Sequence, residues 1–176
     1  MSNTIDILCV VDAATLAAKV ANGQLPAGSL NAPTSLGSYS QSDVYVFMIT
    51  EDCYVVNEQA QSELTIQCDV GDNIRWTITN PGAGVEFSSI LYNFQSAAIG
   101  TYVTQPICLP LAVNLYINNP TNPTTATPIA YTSSAWQTTA LQACNSVQYS
   151  WSFQVLNQQG TVIGYFQWDP FITIEL

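Results

Sequence analysis

The sequence contains no histidine and only two basic residues, Lys19 and Arg75. Without imidazole, the commonest general base and the commonest transition-metal ligand are missing. Ser-His-Asp and Cys-His catalysis are thereby excluded. Two cations cannot neutralise a row of phosphates, which argues against nucleic acid as a partner. The same shortage argues against docking on an anionic membrane surface. Charge of either sign is scarce, at 8% of the 176 residues, where about 25% is usual. Twelve carboxylates still leave a net charge of −10. No segment approaches the roughly 18 apolar residues that suggest a membrane-crossing helix. The N-terminus has neither a basic region nor the apolar core of a secretory signal, so a cytoplasmic protein without a signal peptide is expected. The five cysteines, Cys9, Cys53, Cys68, Cys108 and Cys144, include no CxxC pair, which removes zinc-knuckle and dithiol motifs. Reduced thiols are the expectation, with one or two disulfides left open. Cys9 and Cys68 lie in apolar or alternating runs and read as small buried hydrophobes.

What fills the space left by charge is amide and hydroxyl. About a third of the residues are Ser, Thr, Asn or Gln. These side chains hydrogen-bond readily, and the short ones lose little rotamer freedom on ordering, whereas an immobilised Lys or Glu loses roughly 1.5–2 kcal/mol. Such a surface is easily ordered against another copy of itself, while the acidic excess opposes association and holds the protein in solution. The 48% hydrophobic fraction suits a globular chain of one domain, residues 1–176, with one substantial core.

The hydrophobic pattern is that of strands. Ile5 to Val11 reads as a strand buried on much of both faces. Asp12 can cap a short helix from Ala13 to Val20, stopped at Asn22-Gly23. Gln24 to Ser42 reads as a long loop, functional or pinned across a surface. Asp43 to Thr50, Glu63 to Val70, Asn73 to Thr79, Val85 to Phe94, Thr101 to Leu109 and Ala112 to Ile117 follow as strands. Pro106 suggests an edge or bulge. Asn118 to Pro128 reads as a polar, proline-rich loop. Val147 to Leu156 alternates, with Val147, Tyr149, Trp151, Phe153 and Val155 inward and Gln148, Ser150, Ser152 and Gln154 outward. Val162 to Trp168 and Phe171 to Leu176 close the chain. Short strands separated by turns, with one N-terminal helix, predict a mainly β antiparallel sandwich of Greek-key or jelly-roll type.

Three constellations have a chemical reading and a structural one. Asp69 and Asp72 with Glu51 and Asp52 could offer oxygen ligands to calcium, but the spacing of a calcium loop is absent and solvated turn carboxylates are the simpler reading. Asp43, Glu63, Glu86 and Asp169 could supply the carboxylate pair of a glycosidase, although nothing in the sequence selects a pair. The aromatic residues could form a sugar-stacking platform. Most fall at inward positions, which leaves Trp136 as the exposed candidate for a ligand contact. Arg75 lies opposite the Ile74, Trp76 and Ile78 face of its strand and is expected to meet a carboxylate, or to stack on an aromatic ring. No catalytic, cofactor-binding or metal-ligating residue is assigned.

The opening TIDILCVVD, the central VGDNIRW followed by ILYNF, and the closing GYFQWDPFITI occur in order over nearly the whole chain. Together they resemble the PixA/AidA inclusion-body protein family of bacteria. That resemblance implies a cytoplasmic, non-enzymatic protein that accumulates in inclusions or ordered oligomers, in relatives linked to quorum-regulated or host-associated lifestyles. It implies no cofactor. The matching positions Asp6, Asp12, Gly71, Asp72, Arg75, Trp76, Tyr92, Trp168, Asp169 and Pro170 are then fold determinants. Some inclusion-forming members are rich in methionine. This chain has two, so methionine storage is not implied. The expected partner is the protein itself, with a glycan or host-surface ligand as the alternative.

Overall fold

The computed structural model describes residues 2–37, 42–82 and 84–175. In chain order the elements are β1 (Thr4–Val11), α1 (Ala13–Ala21), β2 (Thr34–Ser35), β3 (Val46–Ile49), β4 (Val55–Asn57), β5 (Thr65–Asp69), β6 (Asn73–Thr79), β7 (Phe87–Gln95), β8 (Ile107–Asn119), β9 (Asn122–Thr139), β10 (Cys144–Gln148), β11 (Ser150–Asn157), β12 (Val162–Trp168) and β13 (Phe171–Glu175). They form three sheets, ordered β3-β1-β6-β9-β8, β10-β13-β5-β4 and β2-β12-β11-β7. The protein is mainly β, as expected, but its sheets are mixed. β1 runs parallel to β6, β13 parallel to β5, and β12 parallel to β2. The expected all-antiparallel sandwich is corrected accordingly, because strands distant in sequence, rather than hairpin neighbours, share these ladders.

The chain changes sheets at sharp corners. β5 passes to β6 through Gly71, whose φ of 95° is open to glycine at little strain. The run Val147 to Leu156 breaks at Tyr149, whose N–H is donated to the Pro170 carbonyl at 3.0 Å. β10 and β11 therefore belong to different sheets. Pro170 lacks an N–H and separates β12 from β13, so the ladder cannot run through.

Inward residues from all three sheets form one contiguous cluster. Trp76 of β6 meets Trp151 of β11 at a centroid distance of 5.4 Å and Tyr149 at 5.5 Å. Its indole N–H donates to the Tyr149 hydroxyl at 3.2 Å. Trp168 of β12 donates to Met48 Sδ of β3 at 3.2 Å. The alternation of β11 is reproduced, with Trp151, Phe153 and Val155 fully buried. Ser152 is buried as well, contrary to its expected outward exposure, on an interior strand of its sheet between Asn93 of β7 and Gln167 of β12. In β1 only one face is buried, through Ile5, Ile7, Cys9 and Val11, and Leu8 on the other is 38% exposed. The expectation of burial on both faces fails because nothing covers that side of β1 at Leu8.

Asp12 caps α1 as expected, accepting from the Thr15 N–H at 3.0 Å. The loop that follows is pinned along β12, with Thr34 beside Phe166 and the Tyr165 N–H donated to the Ala27 carbonyl at 2.7 Å. Gly28 makes that approach possible. A Cβ there would lie 2.6 Å from the Tyr165 carbonyl oxygen and 2.7 Å from the Thr34 nitrogen. The part of this expected loop at 38–41 lies outside the described residues.

Candidate functional site

The most unusual feature of the molecule is the hairpin of β8 and β9. At its base β9 pairs with β6 from Asn73↔Thr139 to Trp76↔Trp136. From Leu109↔Ala135 to Asn118↔Ala126 the two strands pair only with each other. At about 3.4 Å per residue this ribbon is roughly 30 Å long. From Asn114 to Thr132 every residue is exposed except half-buried Asn119. The expected loop from Asn118 to Pro128 is therefore largely strand. Its prolines misled because they signal turns in most settings. Here Pro123 and Pro128 lie on a strand of the free ribbon, and Pro110 lies on the outermost strand of its sheet, where a missing N–H forfeits no ladder bond when it points outward.

Alternation gives the ribbon two unlike faces. Leu109, Leu111, Val113, Leu115 and Ile117 share one face, with Ile129 and Tyr131 across from them. Leu115 is 46% exposed, Ile129 41% and Tyr131 49%. An isolated two-stranded ribbon is marginal in water, and this one carries an apolar face that is half-buried at Leu109, Leu111 and Val113 and uncovered from Leu115 and Tyr131 outward. It also carries no charge, since no charged residue lies between Glu86 and Asp169. That uncharged run, with the alternation from Leu109 to Ile117, is the sequence signal that the reading of Asn118 to Pro128 as a loop obscured.

The residues singled out from sequence are spread over the molecule. Asp6 and Arg75 are neighbours across the parallel β1–β6 register and form a bidentate ion pair, Nε to Oδ1 at 2.5 Å and Nη2 to Oδ2 at 2.7 Å. The hydrogen bond to Asp6 raises the Arg75 pKa. Asp72, buried beside Gly71, accepts the Asn3 N–H at 2.6 Å and the Asp69 N–H at 3.1 Å, tying the N-terminus to the β5–β6 corner. Both its oxygens are thus engaged, and among the described residues no group of three or more His, Cys, Asp or Glu side chains is placed to hold a metal ion. Tyr92 donates to the Leu30 carbonyl at 3.3 Å and packs edge-on against Tyr165. Trp168 is in the core and Pro170 marks the corner after it. Trp136 is not the exposed platform expected. It is half-buried, its N–H donates to the Leu91 carbonyl at 3.2 Å, and its ring abuts Trp151 at 5.4 Å. Its position opposite Trp76 in the ladder draws it into the gap between the sheets.

Of the four carboxylates considered as an acid pair, the structure groups three and leaves Glu86 apart on the β6–β7 turn. Glu63 and Asp169 line a cavity of about 570 Å³ with Gln148. Glu63 is buried, and burial, then the nearby Asp169 charge, push its pKa up to about 7. Ser42 donates to its Oε1 at 3.4 Å. Asp43 adds a smaller upward push on Glu63 and itself accepts from the Ser62 N–H and hydroxyl, both at 2.8 Å. Burial also raises Asp169, whose Oδ2 accepts from Gln148 Nε2 at 2.6 Å. Cys9 and Cys68 are buried thiols, and burial pushes Cys68 up to about 12, far from a reactive thiolate.

The sequence model of the PixA inclusion body protein family matches residues 3–174. The crystal structure of the PixA inclusion body protein from Burkholderia cenocepacia J2315 superimposes with a TM-score of 0.75 at 19% identity, covering 99% of this chain and 97% of that one. At that identity the likeness is one of fold. The solution structure of amebosin, 10% identical over 70% of this chain and 93% of its own, reaches a TM-score of 0.26, too low to carry an argument. None of the curated proteins matches the sequence. Among the described residues no helix is long and apolar enough to cross a membrane.

Proposed function

The chain belongs to the PixA inclusion body protein family, and we propose that it is a non-catalytic, self-associating protein that packs into cytoplasmic inclusions or ordered oligomers through the β8–β9 ribbon. The observation that carries this reading is the uncovered apolar face of a ribbon that bears no charge. Its proposed occupant is the same face of a second copy. With a net charge of −10, copies repel wherever carboxylates meet, and the ribbon is where two chains can meet without opposing any. The prolines on its strands discourage pairing edge to edge, so face-to-face stacking is favoured over the exposed strand edges. The ten matching positions are read as fold determinants: eight are engaged in a corner, a cap, an ion pair or the core, while Tyr92 is held by Leu30 and Tyr165 and Asp169 by Gln148.

Covering the exposed parts of Leu115, Ile117, Ile129 and Tyr131 stabilises contact by about 1 kcal/mol each. A two-fold contact uses every residue twice, giving roughly 8 kcal/mol gross before the cost of association is subtracted. That sum describes a weak pairwise contact, suited to a dense array of many contacts more than to a tight dimer. The experiment is sedimentation equilibrium of the wild type and of Ile129→Asp, from micromolar to millimolar protein. The wild type is expected to gain mass with concentration and the variant to stay monomeric, with near-ultraviolet circular dichroism unchanged because Ile129 is exposed. A wild type that stays monomeric throughout, or a variant that associates as strongly, would falsify the proposal.

A further inference from the structure

β6 and β7 follow one another in the chain but lie in different sheets, so a gap opens between them. Two hollows in this gap share Ile78 and Ser89. The larger, about 380 Å³, is bounded by Trp136 and carries the hydroxyl residues Thr77, Ser89, Thr132, Ser133 and Ser134. The smaller, about 130 Å³, is lined at its end by Asn80. Asn80 continues the inward series Ile74, Trp76, Ile78 one step past the end of β6, where an apolar residue would be expected. It is 7% exposed, and among the described residues neither its Oδ1 nor its Nδ2 has a hydrogen-bond partner. The Ser89 hydroxyl, buried at the junction of the hollows, has none among the described residues either. Buried polar atoms are almost always paired. Three orphans around one gap are an unfilled hydrogen-bonding capacity, and they comprise a donor, an acceptor and a group that can be both.

We infer that this gap is a binding site for a small neutral polyhydroxylated ligand, a pyranose sugar. Among the described residues no charged side chain lines either hollow, so an ionic ligand finds no counter-charge. The Asn80 amide offers a carbonyl and an NH₂ group, a pair that matches vicinal hydroxyls, and the Ser89 hydroxyl supplies a third contact. Trp136 has its N–H committed to the Leu91 carbonyl, and its uncovered part supplies an apolar wall for the C–H face of the ring. The hollow walled by Trp136 is near 380 Å³, at the lower end of ligand pockets, which fits a monosaccharide with one edge directed past Ser89 at the adjoining 130 Å³ hollow that Asn80 lines. The inference does not rest on Leu115, Ile117, Ile129 or Tyr131, the residues proposed for association, although Thr132, Ser133 and Ser134 belong to the base of the same ribbon.

The test is titration of isotope-labelled protein with the methyl glycosides of glucose, galactose, mannose, fucose and N-acetylglucosamine, up to tens of millimolar, followed by amide and indole shifts. At least one glycoside is expected to give saturable shifts at Ser89, Asn80 and the Trp136 indole. Asn80→Leu is expected to weaken that binding about tenfold, the equivalent of one lost hydrogen bond, while leaving the melting temperature equal or higher, because it removes two buried orphans. Ser89→Ala supplies the same comparison if Asn80→Leu does not fold. The inference is overturned if no glycoside shifts these signals, or if the folded variant binds as the wild type does. It is equally overturned if the same signals shift with protein concentration alone, which would give the gap to a second copy.

Discussion

Replacing Glu63 by glutamine should change how the stability of this protein depends on pH. The Glu63 carboxyl is buried among Ser42, Asp43 and Asp169, and its pKa is raised from 4.5 to about 7. Between those values the folded protein holds a proton that the unfolded chain has released, so stability falls as pH rises through that window. At 1.36 kcal/mol per unit the loss is at most about 3 kcal/mol, complete above pH 7 and absent below pH 4.5. Glutamine keeps the shape and accepts from Ser42 without charge at any pH. Urea denaturation followed by tryptophan fluorescence is the assay, because the core holds Trp76, Trp151 and Trp168. The two proteins should have equal stability at pH 4.5 and diverge by pH 7, with Glu63→Gln the more stable. With a urea slope of about 2 kcal/mol per molar, a difference of that size moves the midpoint by about 1 M or more. Asp169, raised in the same direction by burial, contributes with the same sign, so Asp169→Asn should remove part of the same slope. Parallel pH curves for wild type and Glu63→Gln would refute the reasoning, because they would mean that Glu63 is as solvated in the folded protein as in the unfolded chain.

Gly28→Ala should destabilise by about 2 kcal/mol or more in thermal unfolding, since the site combines a φ of 64° with a Cβ 2.6 Å from the Tyr165 carbonyl oxygen. Gly23→Ala, at a φ of 68° but with open space around the new Cβ, should cost clearly less. Asp12→Ala should remove the cap of α1 and lower stability by about 1 kcal/mol, read from the same melts; no change would show that α1 is held by packing alone.

Local chemistry was legible where it is self-contained. Asp12 before an alanine-rich stretch and Asn22-Gly23 after it mark α1 because caps act within a few residues. The alternation of Trp151, Phe153 and Val155 marks β11 because one face is fully buried. Parallel pairing was not legible. The partners of β1 and β13 lie some 70 and 100 residues away in the chain, and a strand's own pattern does not name its neighbour. The ribbon was half legible, since its alternation from Leu109 to Ile117 is plain, but its prolines and asparagines carry turn propensity that only the geometry of an unpaired edge overrides. Trp136 was placed in a polar stretch and judged by its neighbours in sequence, whereas its burial comes from the facing sheet. Asn80 could have been flagged, because it breaks an inward series at a step where the pattern demands an apolar side chain.

The length of the ribbon bears on the acidic charge in a way that composition alone does not convey. Fields from exposed charges decay over about 8 Å at physiological ionic strength, whereas the free ribbon extends for roughly 30 Å at about 3.4 Å per residue. Copies joined near the tips of their ribbons would keep their carboxylate-bearing bodies several screening lengths apart. A net charge of −10 would then forbid collapse of the bodies onto one another while leaving the ribbon contact almost unopposed. A lattice built by the proposed ribbon contact would then be an open one, held by neutral spacers and filled largely with water and counter-ions.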